Sequence, residues 1–307
     1  MEKKFGKFAF FEGSIRPYEE AKIPIGTHAF NYGTACFEGI RFFWDDSTKK
    51  CVVLALRSHL QRLLYSCKIL KIQLPYTLED LIKITIALLQ KEGWQENGYI
   101  RPIAYKKSEL IGVKLTGVAD EIAIFTTAFG SYYPNETNVK AMISSVKRID
   151  DLAIPARAKI TGAYVNSARA KDEALCAGFD EAIVLNSDGH VAEASAANLF
   201  LVRNSRLITP PVTANILEGI TRNIVISLAE QELKMHVVER EVDCSELLIA
   251  GEVFITGTAC NISAITSING QAIGNGKIGP VTKQLRKLYF QLIKGRLPKY
   301  RYLLTTI

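Results

Sequence analysis

Lys159 is the residue in this sequence whose surroundings best suit covalent chemistry. It stands in Arg157-Ala158-Lys159-Ile160-Thr161-Gly162, where small residues surround it and an apolar residue follows. An amine kept in an apolar pocket has a lowered pKa and can attack a carbonyl group to form a Schiff base. The plainer alternative is a surface lysine that packs its stem on the protein and keeps its charge in water.

Two glycine-containing turns could offer backbone N–H groups to a phosphate. In Glu218-Gly219-Ile220-Thr221 the glycine precedes a predicted helix, whose first N–H groups lie at the positive end of the helix dipole. Gly257-Thr258-Ala259 follows a predicted strand and offers similar donors. An ordinary helix start and an ordinary turn remain alternatives. Two such turns and one sequestered lysine are what a phosphorylated aldehyde cofactor would require.

Further polar side chains could serve such a cofactor and its substrate. Glu193 lies on a predicted strand among small residues, where a buried carboxylate would need a cationic partner such as a protonated pyridine nitrogen. Tyr99 and Arg101 alternate along a strand and therefore face the same side. Arg57, at a strand end, could clamp a phosphate with two hydrogen bonds. The alternatives are an exposed edge-strand glutamate and surface ion pairs.

Composition predicts a soluble globular protein with a substantial core. The chain has 307 residues, of which 48% are hydrophobic and 22% charged, a length and balance that suggest two domains. The net charge of +7 is not gathered into basic blocks, which argues against a nucleic-acid partner. Neither a signal peptide nor an apolar run of membrane-spanning length is visible, and no C-x-x-C pair suggests a metal. We expect a cytoplasmic protein without a metal site or membrane contact.

Periodicity predicts strands and helices in alternation. The predicted strands are 8–12, 37–44, 51–56, 99–106, 121–129, 139–147, 181–185, 191–194, 198–202, 207–209 and 252–256. The predicted helices are 58–70 with Ser58 as N-cap, 77–92 with a Thr77/Asp80 cap, 164–177, 220–233 and 280–292. We assign 1–130 to a small N-terminal α/β domain, 131–138 to a linker and 139–307 to a large C-terminal domain. Hairpins mixed with helices indicate two α+β domains with mixed sheets.

Seven motifs in a fixed order carry a family resemblance. They are His28-Ala29-Phe30-Asn31-Tyr32-Gly33-Thr34, Phe37-Glu38-Gly39-Ile40-Arg41, Tyr99-Ile100-Arg101-Pro102, Ala158-Lys159, Glu193 before Asn198-Leu199-Phe200, Gly219-Ile220-Thr221-Arg222 and Gly257-Thr258-Ala259. With them the chain resembles, from about residue 10 to 288, the class IV (fold-type IV) aminotransferases that use pyridoxal 5′-phosphate. The resemblance is greatest to the branched-chain amino acid aminotransferases.

The resemblance implies a role for each candidate residue and places the active site between the two domains. Lys159 would bind the cofactor covalently and carry a proton, Glu193 would pair with the pyridine nitrogen, and Tyr164 would contact the phenolic oxygen. The implied phosphate contacts come from Arg57, Gly219, Ile220, Thr221 and Thr258. The implied substrate contacts come from Tyr32, Phe37, Gly39, Tyr99, Arg101, Tyr132, Thr258 and Ala259. Tyr32 would reach across from the second subunit of a homodimer with shared sites; further assembly is left open.

The implied reaction moves the amino group of leucine, isoleucine or valine to 2-oxoglutarate, giving glutamate and the branched 2-oxo acid. Alternatives with the same fold are a D-amino acid or (R)-amine transaminase and an aminodeoxychorismate lyase. A non-catalytic binding protein is a third hypothesis, which the retained Lys159, Tyr164 and Glu193 oppose. The family usually has alanine and glutamate where Cys260 and Asn261 stand, and a glycine-rich run ending in glutamate where Ala194-Ser195-Ala196-Ala197 stands. These departures bear on substrate preference.

Overall fold

The computed structural model describes residues 4–307, which divide into two compact units. Unit 1 contains residues 4–130, Ala158–Ala163 and Leu292–Ile307, and unit 2 contains Ser131–Arg157 and Tyr164–Gln291. The predicted assignment of all of 139–307 to one domain is therefore corrected at two places. Lys159 belongs to unit 1, because its neighbour Ile160 forms a β-bridge with Cys36. The chain end also returns to unit 1, where it forms an edge strand.

The strands are β1 (Phe5–Phe11), β2 (Ser14–Pro17), β3 (Ala35–Phe37), β4 (Ile40–Asp45), β5 (Lys50–Leu54), β6 (Gly98–Lys106), β7 (Asp120–Ala128), β8 (Val139–Ile143), β9 (Glu181–Leu185), β10 (Val191–Ala194), β11 (Asn198–Arg203), β12 (Arg206–Thr209), β13 (Val237–Glu239), β14 (Glu252–Gly257), β15 (Asn261–Ile268), β16 (Gln271–Ala272) and β17 (Leu304–Thr306). The α-helices are α1 (His28–Tyr32), α2 (Leu56–Ile69), α3 (Leu78–Glu92), α4 (Tyr164–Cys176), α5 (Ile220–Gln231), α6 (Cys244–Leu248) and α7 (Pro280–Ile293).

Unit 1 is built on a sheet with the strand order β17-β5-β4-β6-β7-β1-β2, in which β3 also pairs with β6. The pairings described for this sheet are antiparallel. Helix α3 begins at the predicted capping box of Thr77 and Asp80 and ends at Gly93, whose φ of +62° suits glycine. Helix α2 begins earlier than predicted, at Leu56 after Ala55, so the predicted N-cap at Ser58 is wrong.

Unit 2 is built on a mixed sheet with the order β10-β9-β8-β15-β14-β11-β12-β13, with β16 paired to β15. Parallel pairs join β8 to β9, β8 to β15 and β12 to β13, and the other pairings described are antiparallel. The central strands are apolar on both faces, as in Ile183, Leu199 and Ile255, so that helices and loops can cover each side. Strand β8 ends at Ile143, four residues before its predicted end.

Neither a bilayer-spanning helix nor a cluster of metal-binding side chains occurs among residues 4–307. Within this range, the helices are all too short or too polar to cross a bilayer. The same residues contain no group of three or more His, Cys, Asp or Glu side chains arranged to hold a metal ion.

Candidate active site

The backbone of Lys159 is held on two sides within unit 1. Its N–H donates to Ser66 Oγ on α2 at 3.1 Å, and its carbonyl accepts the Phe37 N–H of β3 at 3.0 Å. The amine Nζ lies 4.7 Å from the centroid of the Phe37 ring. Both neighbours in sequence, Ala158 and Ile160, are buried. The main chain of Lys159 is thus held by bonds that do not depend on its side chain.

The predicted substrate residues of unit 1 gather around the same aromatic ring. The guanidinium carbon of Arg101 lies 4.6 Å from the Phe37 centroid, and Arg101 Nη2 donates to Tyr99 Oη at 3.2 Å. The Nε of Arg101 is buried and has no hydrogen-bond partner within the described chain. Gly39 leaves room for Tyr99, because a Cβ there would lie 1.7 Å from the phenol oxygen. An amine, an apolar ring, a guanidinium and a phenol therefore share one small region.

A buried ion cluster lies beside Lys159. The Glu38 carboxylate, fully buried, accepts from Arg62 Nε at 2.7 Å, from Arg62 Nη2 at 2.9 Å and from His59 Nδ1 at 2.7 Å. Burial alone would raise the pKa of Glu38, but Arg62 and His59 hold that pKa well below its usual range. Burial lowers the pKa of His59, and Glu38 opposes that effect only in part. Ser66, which bonds Lys159, also donates to the Arg62 carbonyl at 3.0 Å.

Arg62 is a candidate that the sequence prediction missed. His59, Arg62 and Ser66 recur at helical spacing on the face of α2 that also buries Leu60 and Leu63. Polar residues on a buried helix face need partners, so this spacing is the sequence pattern from which Arg62 could have been predicted as a site residue. A planar guanidinium within a turn of Ser66 suits an anionic ligand near Lys159.

The structure contradicts the predicted place of Arg57. Its guanidinium forms a bidentate ion pair with Glu79 of α3, at 2.6 and 2.9 Å, and the two side chains are 61% and 58% exposed. The prediction put Arg57 at a strand end, but α2 already begins at Leu56. Five helical positions separate Arg57 from Arg62, which is about 140° around the helix axis, so the two side chains point to different faces.

Glu193 lies at the centre of a buried polar group in unit 2. Its Oε1 pairs with Arg148 Nη2 at 3.0 Å, and its Oε2 accepts from Asn198 Nδ2 at 2.9 Å and from the Leu217 N–H at 3.3 Å. Glu193 is 4% exposed. The alternative of an exposed edge-strand glutamate is therefore wrong. Arg148 is a partner that the sequence prediction did not name.

The start of α5 lies next to this group. Gly219 is the N-cap residue and, as a glycine, has no side chain to cap the helix, whose first turn holds no acidic residue. Asn198 packs directly on Gly219, since a Cβ there would lie 1.9 Å from Asn198 Oδ1. Thr221 is buried, and Ile220 is half-buried. Unit 2 thus places the N–H groups of Ile220 and Thr221 beside the Glu193 cluster through the shared Asn198.

The remaining predicted residues occupy distinct positions. Thr258 and Ala259 form the half-buried turn between β14 and β15. Two residues before Thr258, the buried Oγ1 of Thr256 lacks a hydrogen-bond partner in the described chain. Tyr164 is the first residue of α4. Tyr132 lies in unit 2 with its ring 4.8 Å from that of Tyr133. Tyr32, on α1 of unit 1, accepts the Gly112 N–H at 3.0 Å and so is not brought to Lys159 by any bond described.

Comparison with known proteins defines the class. The model of the family "Amino-transferase class IV" matches residues 35–268, most of the chain. The chain therefore belongs to the class IV aminotransferases. Lys159, whose main chain is bonded to Ser66 and Phe37, lies within the matched region. Among curated proteins it is 48% identical over 300 residues to a probable branched-chain-amino-acid aminotransferase of Aquifex aeolicus, covering 98% of this chain and 96% of the relative. The enzyme of that name from Pseudomonas aeruginosa is 35% identical, with 94% and 93% covered.

Solved structures agree with this assignment. A branched-chain aminotransferase of Thermoproteus uzoniensis, solved with norvaline, is 38% identical with a TM-score of 0.94, covering 98% of this chain and 99% of that one. The branched-chain amino acid aminotransferase of Thermobaculum terrenum in its PLP form is 34% identical with a TM-score of 0.94, covering 99% of both chains. Within class IV, the chain is a member of the branched-chain-amino-acid aminotransferase family. The predicted family and fold type are confirmed.

Proposed function

We propose that this chain transfers the amino group of L-leucine, L-isoleucine or L-valine to 2-oxoglutarate with pyridoxal 5′-phosphate as cofactor. One observation supports the substrate pair above all. The Lys159 amine and the Arg101 guanidinium lie 4.7 and 4.6 Å from the centroid of the same Phe37 ring. A branched aliphatic side chain can pack on the ring, and the distal carboxylate of glutamate can pair with the guanidinium beside it.

The residues present fit the cofactor. Glu193 is buried and surrounded by donors, and a carboxylate in that position suits a cationic ring nitrogen. The uncapped start of α5, with Thr221 buried beside it, suits a phosphate. When bound, pyridoxal phosphate supplies an electron sink for the negative charge that forms at the substrate Cα. Each of these features suits one part of the cofactor: the Glu193 carboxylate its ring nitrogen, the start of α5 its phosphate and the Lys159 amine its carbonyl carbon.

Each residue then has a physical task. Lys159 Nζ binds the cofactor covalently and moves the proton between Cα and cofactor, while Phe37 keeps water from one side of the amine. Glu193 keeps the ring nitrogen protonated, and Tyr164 orients the phenolic oxygen. The phosphate is held by the N–H groups of Ile220 and Thr221, by Thr258 and by Arg62, which replaces Arg57 in this proposal. Tyr99, Thr258, Ala259 and Tyr132 bind the substrate.

A donor panel tests this function. Purified enzyme loaded with pyridoxal phosphate is offered L-leucine, L-isoleucine, L-valine, D-alanine and (R)-1-phenylethylamine, with 2-oxoglutarate as acceptor. We expect turnover with the three branched-chain L-amino acids. Turnover with only D-alanine or the amine would establish the D-amino acid or (R)-amine alternative. Pyruvate release from aminodeoxychorismate would establish the lyase, and cofactor binding without any turnover would establish a binding protein.

The two arginines of α2 give a matched pair of variants. Arg62→Ala should weaken pyridoxal phosphate binding by about 10- to 100-fold, the range for losing hydrogen bonds to a charged group. Arg57→Ala should leave binding unchanged, because its side chain pairs with Glu79 on the surface. Equilibrium dialysis of the apoenzyme measures both constants. A loss confined to Arg57→Ala would restore the original prediction.

Arg101 should discriminate between the two substrates. Arg101→Ala should raise the KM for glutamate and 2-oxoglutarate by about 10- to 100-fold, since it removes a charged partner of the distal carboxylate. The KM for leucine should change far less, because Phe37 and Tyr99 remain. Steady-state kinetics with each donor makes the comparison. Equal losses for leucine and glutamate would disprove the distal-carboxylate role.

We also propose that a second copy of this chain covers an apolar patch on unit 1 to form a homodimer. Ile25, Phe30, Ile111 and Val113 are 68% to 86% exposed. The patch is a single surface because α1 and the 109–113 loop are bonded: His28 Nε2 lies 2.8 Å from the Gly112 carbonyl, and Thr27 bridges to Glu109. Tyr32 lies at the same junction, where it could reach the second copy's site. The cytoplasm remains our prediction for the place of action.

Analytical ultracentrifugation tests the dimer. Ile111→Glu combined with Val113→Glu should convert dimers to monomers, because a charge placed in an apolar interface is strongly unfavourable. Val165→Glu, at an exposed site in unit 2, is the control and should leave the dimer intact. A monomeric parent protein would disprove the proposal.

A further inference from the structure

Residues 131–138, which the sequence predicts as an interdomain linker, belong to unit 2 and are bonded to other parts of it. Tyr133 is buried and donates its hydroxyl to Glu181, which also pairs with Lys171 at 2.9 Å. The Glu136 carbonyl accepts the Ala264 N–H of β15 at 2.9 Å. The segment is therefore fixed at two points, the side chain of Tyr133 and the main chain of Glu136.

A second connection joins this segment to the substrate turn. Glu136 Oε1 accepts from Asn261 Nδ2 at 3.1 Å and from Ser131 Oγ at 3.0 Å, while Arg286 Nη2 lies 3.2 Å from Glu136 Oε2. Asn261 is 5% exposed and pairs across the hairpin with Gly257, closing the turn that contains Thr258 and Ala259. Its φ of +54° is a left-handed conformation that asparagine, aspartate and glycine tolerate.

We propose that Asn261 and Glu136 are positioning residues that hold Tyr132 and the Thr258–Ala259 turn at a fixed distance from each other. The inference rests on the proposed function, in which both groups bind the substrate. Ser131 and Tyr133, on either side of Tyr132, are each bonded, and Glu136 connects that segment to Asn261 at the end of the turn. Loss of the Asn261–Glu136 contact therefore moves one substrate-binding group relative to the other without removing either.

The isosteric variant Asn261→Asp tests the contact. The variant replaces the amide donor by a carboxylate at hydrogen-bond distance from the Glu136 carboxylate, so the two like charges repel. Arg286 already pairs with Glu136 and therefore offsets only part of this repulsion. We expect the KM for leucine to rise by about tenfold or more, because like charges in a buried site repel strongly. The kcat per bound cofactor should change less. A purely structural defect would instead lower the fraction of active enzyme at unchanged KM.

Asn269→Asp is the matched control. Asn269 also has a left-handed φ, of +50°, in a hairpin of unit 2, but its Oδ1 accepts the Ile143 N–H at 2.9 Å, a role that aspartate keeps. The control should show the parent KM. If Asn261→Asp does not fold, Asn261→Gly keeps the backbone conformation, removes the contact without repulsion and should also raise KM, with Asn269→Gly as its control.

Exchanging the two groups should restore the contact. In the double variant Glu136→Gln with Asn261→Asp, the glutamine amide can donate to the new carboxylate, and Arg286 keeps an anionic neighbour. KM should return to within about threefold of the parent value if the pair couples directly. Amide hydrogen exchange over 131–138 should be faster in Asn261→Asp and normal in the double variant. This readout does not depend on any catalytic activity.

Three results would overturn the proposal: an unchanged KM in both Asn261 variants, unchanged exchange over 131–138, or a double variant no better than Asn261→Asp alone. Failure of the proposed function is recognised separately, since the parent enzyme would then not use leucine. The exchange measurement would still report whether the contact fixes the segment.

Discussion

Lys159→Ala should abolish transamination with every donor while leaving the fold intact. The rate should fall by about 10⁴-fold, the upper end of what one positioned acid–base group contributes. The local backbone should survive, because the bonds to Ser66 and Phe37 use only the main chain of Lys159. Turnover of leucine with 2-oxoglutarate and the thermal unfolding midpoint are measured on the same preparation.

Two further variants separate the chemistry from the charge. Lys159→Arg places a long basic side chain beside the Phe37 ring but offers no amine nucleophile, so it should be as inactive as the alanine variant. Lys7→Ala, at an exposed site on β1, should retain full activity. Covalent attachment is tested by borohydride reduction followed by peptide mapping, which should mark Lys159. Normal turnover by Lys159→Ala would refute the assignment.

Local rules predicted much of the fold. The capping box of Thr77 and Asp80 and the glycine stop at Gly93 depend on neighbours within four residues, and α3 has both ends as predicted. The alternation of Tyr99 and Arg101 placed them on one face of β6, where they meet at 3.2 Å. These features could be predicted because the interacting groups are close in sequence.

The predictions that the structure corrects depended on contacts between residues distant in sequence or on the exact first residue of a helix. No local pattern shows that Ile160 bridges to Cys36, yet that bridge puts Lys159 in unit 1. An α2 start at Leu56 instead of Ser58 places Arg57 on the outer face and leaves Arg62 for the buried one. The polar composition of 131–138 suggested a linker, because composition cannot show that Glu136 and Tyr133 have partners on distant strands.

Replacing Glu193 by glutamine should lower both activity and stability, through one cause. Glutamine can keep an oxygen toward Arg148, but its amide then faces the Asn198 amide and the Leu217 N–H, which are both donors. The Arg148 charge also loses its partner in a buried site. We expect kcat to fall about 100-fold, as when one preorganised electrostatic contact is lost, and the free energy of unfolding to fall by about 3–5 kcal/mol.

Glu252→Gln separates these two effects. Glu252 is also buried, at 7% exposure, and accepts the N–H groups of Val281 and Thr282 at the start of α7, so the variant should lose stability alone. Glu193→Asp keeps the charge and should recover part of kcat. The kcat per bound cofactor is measured at a temperature where all variants are folded, so that differences in stability do not affect the measured rate. Equal kcat in Glu193→Gln and Glu252→Gln would mean that the Glu193 carboxylate stabilises the fold only, and the protonated ring nitrogen would need a different anion.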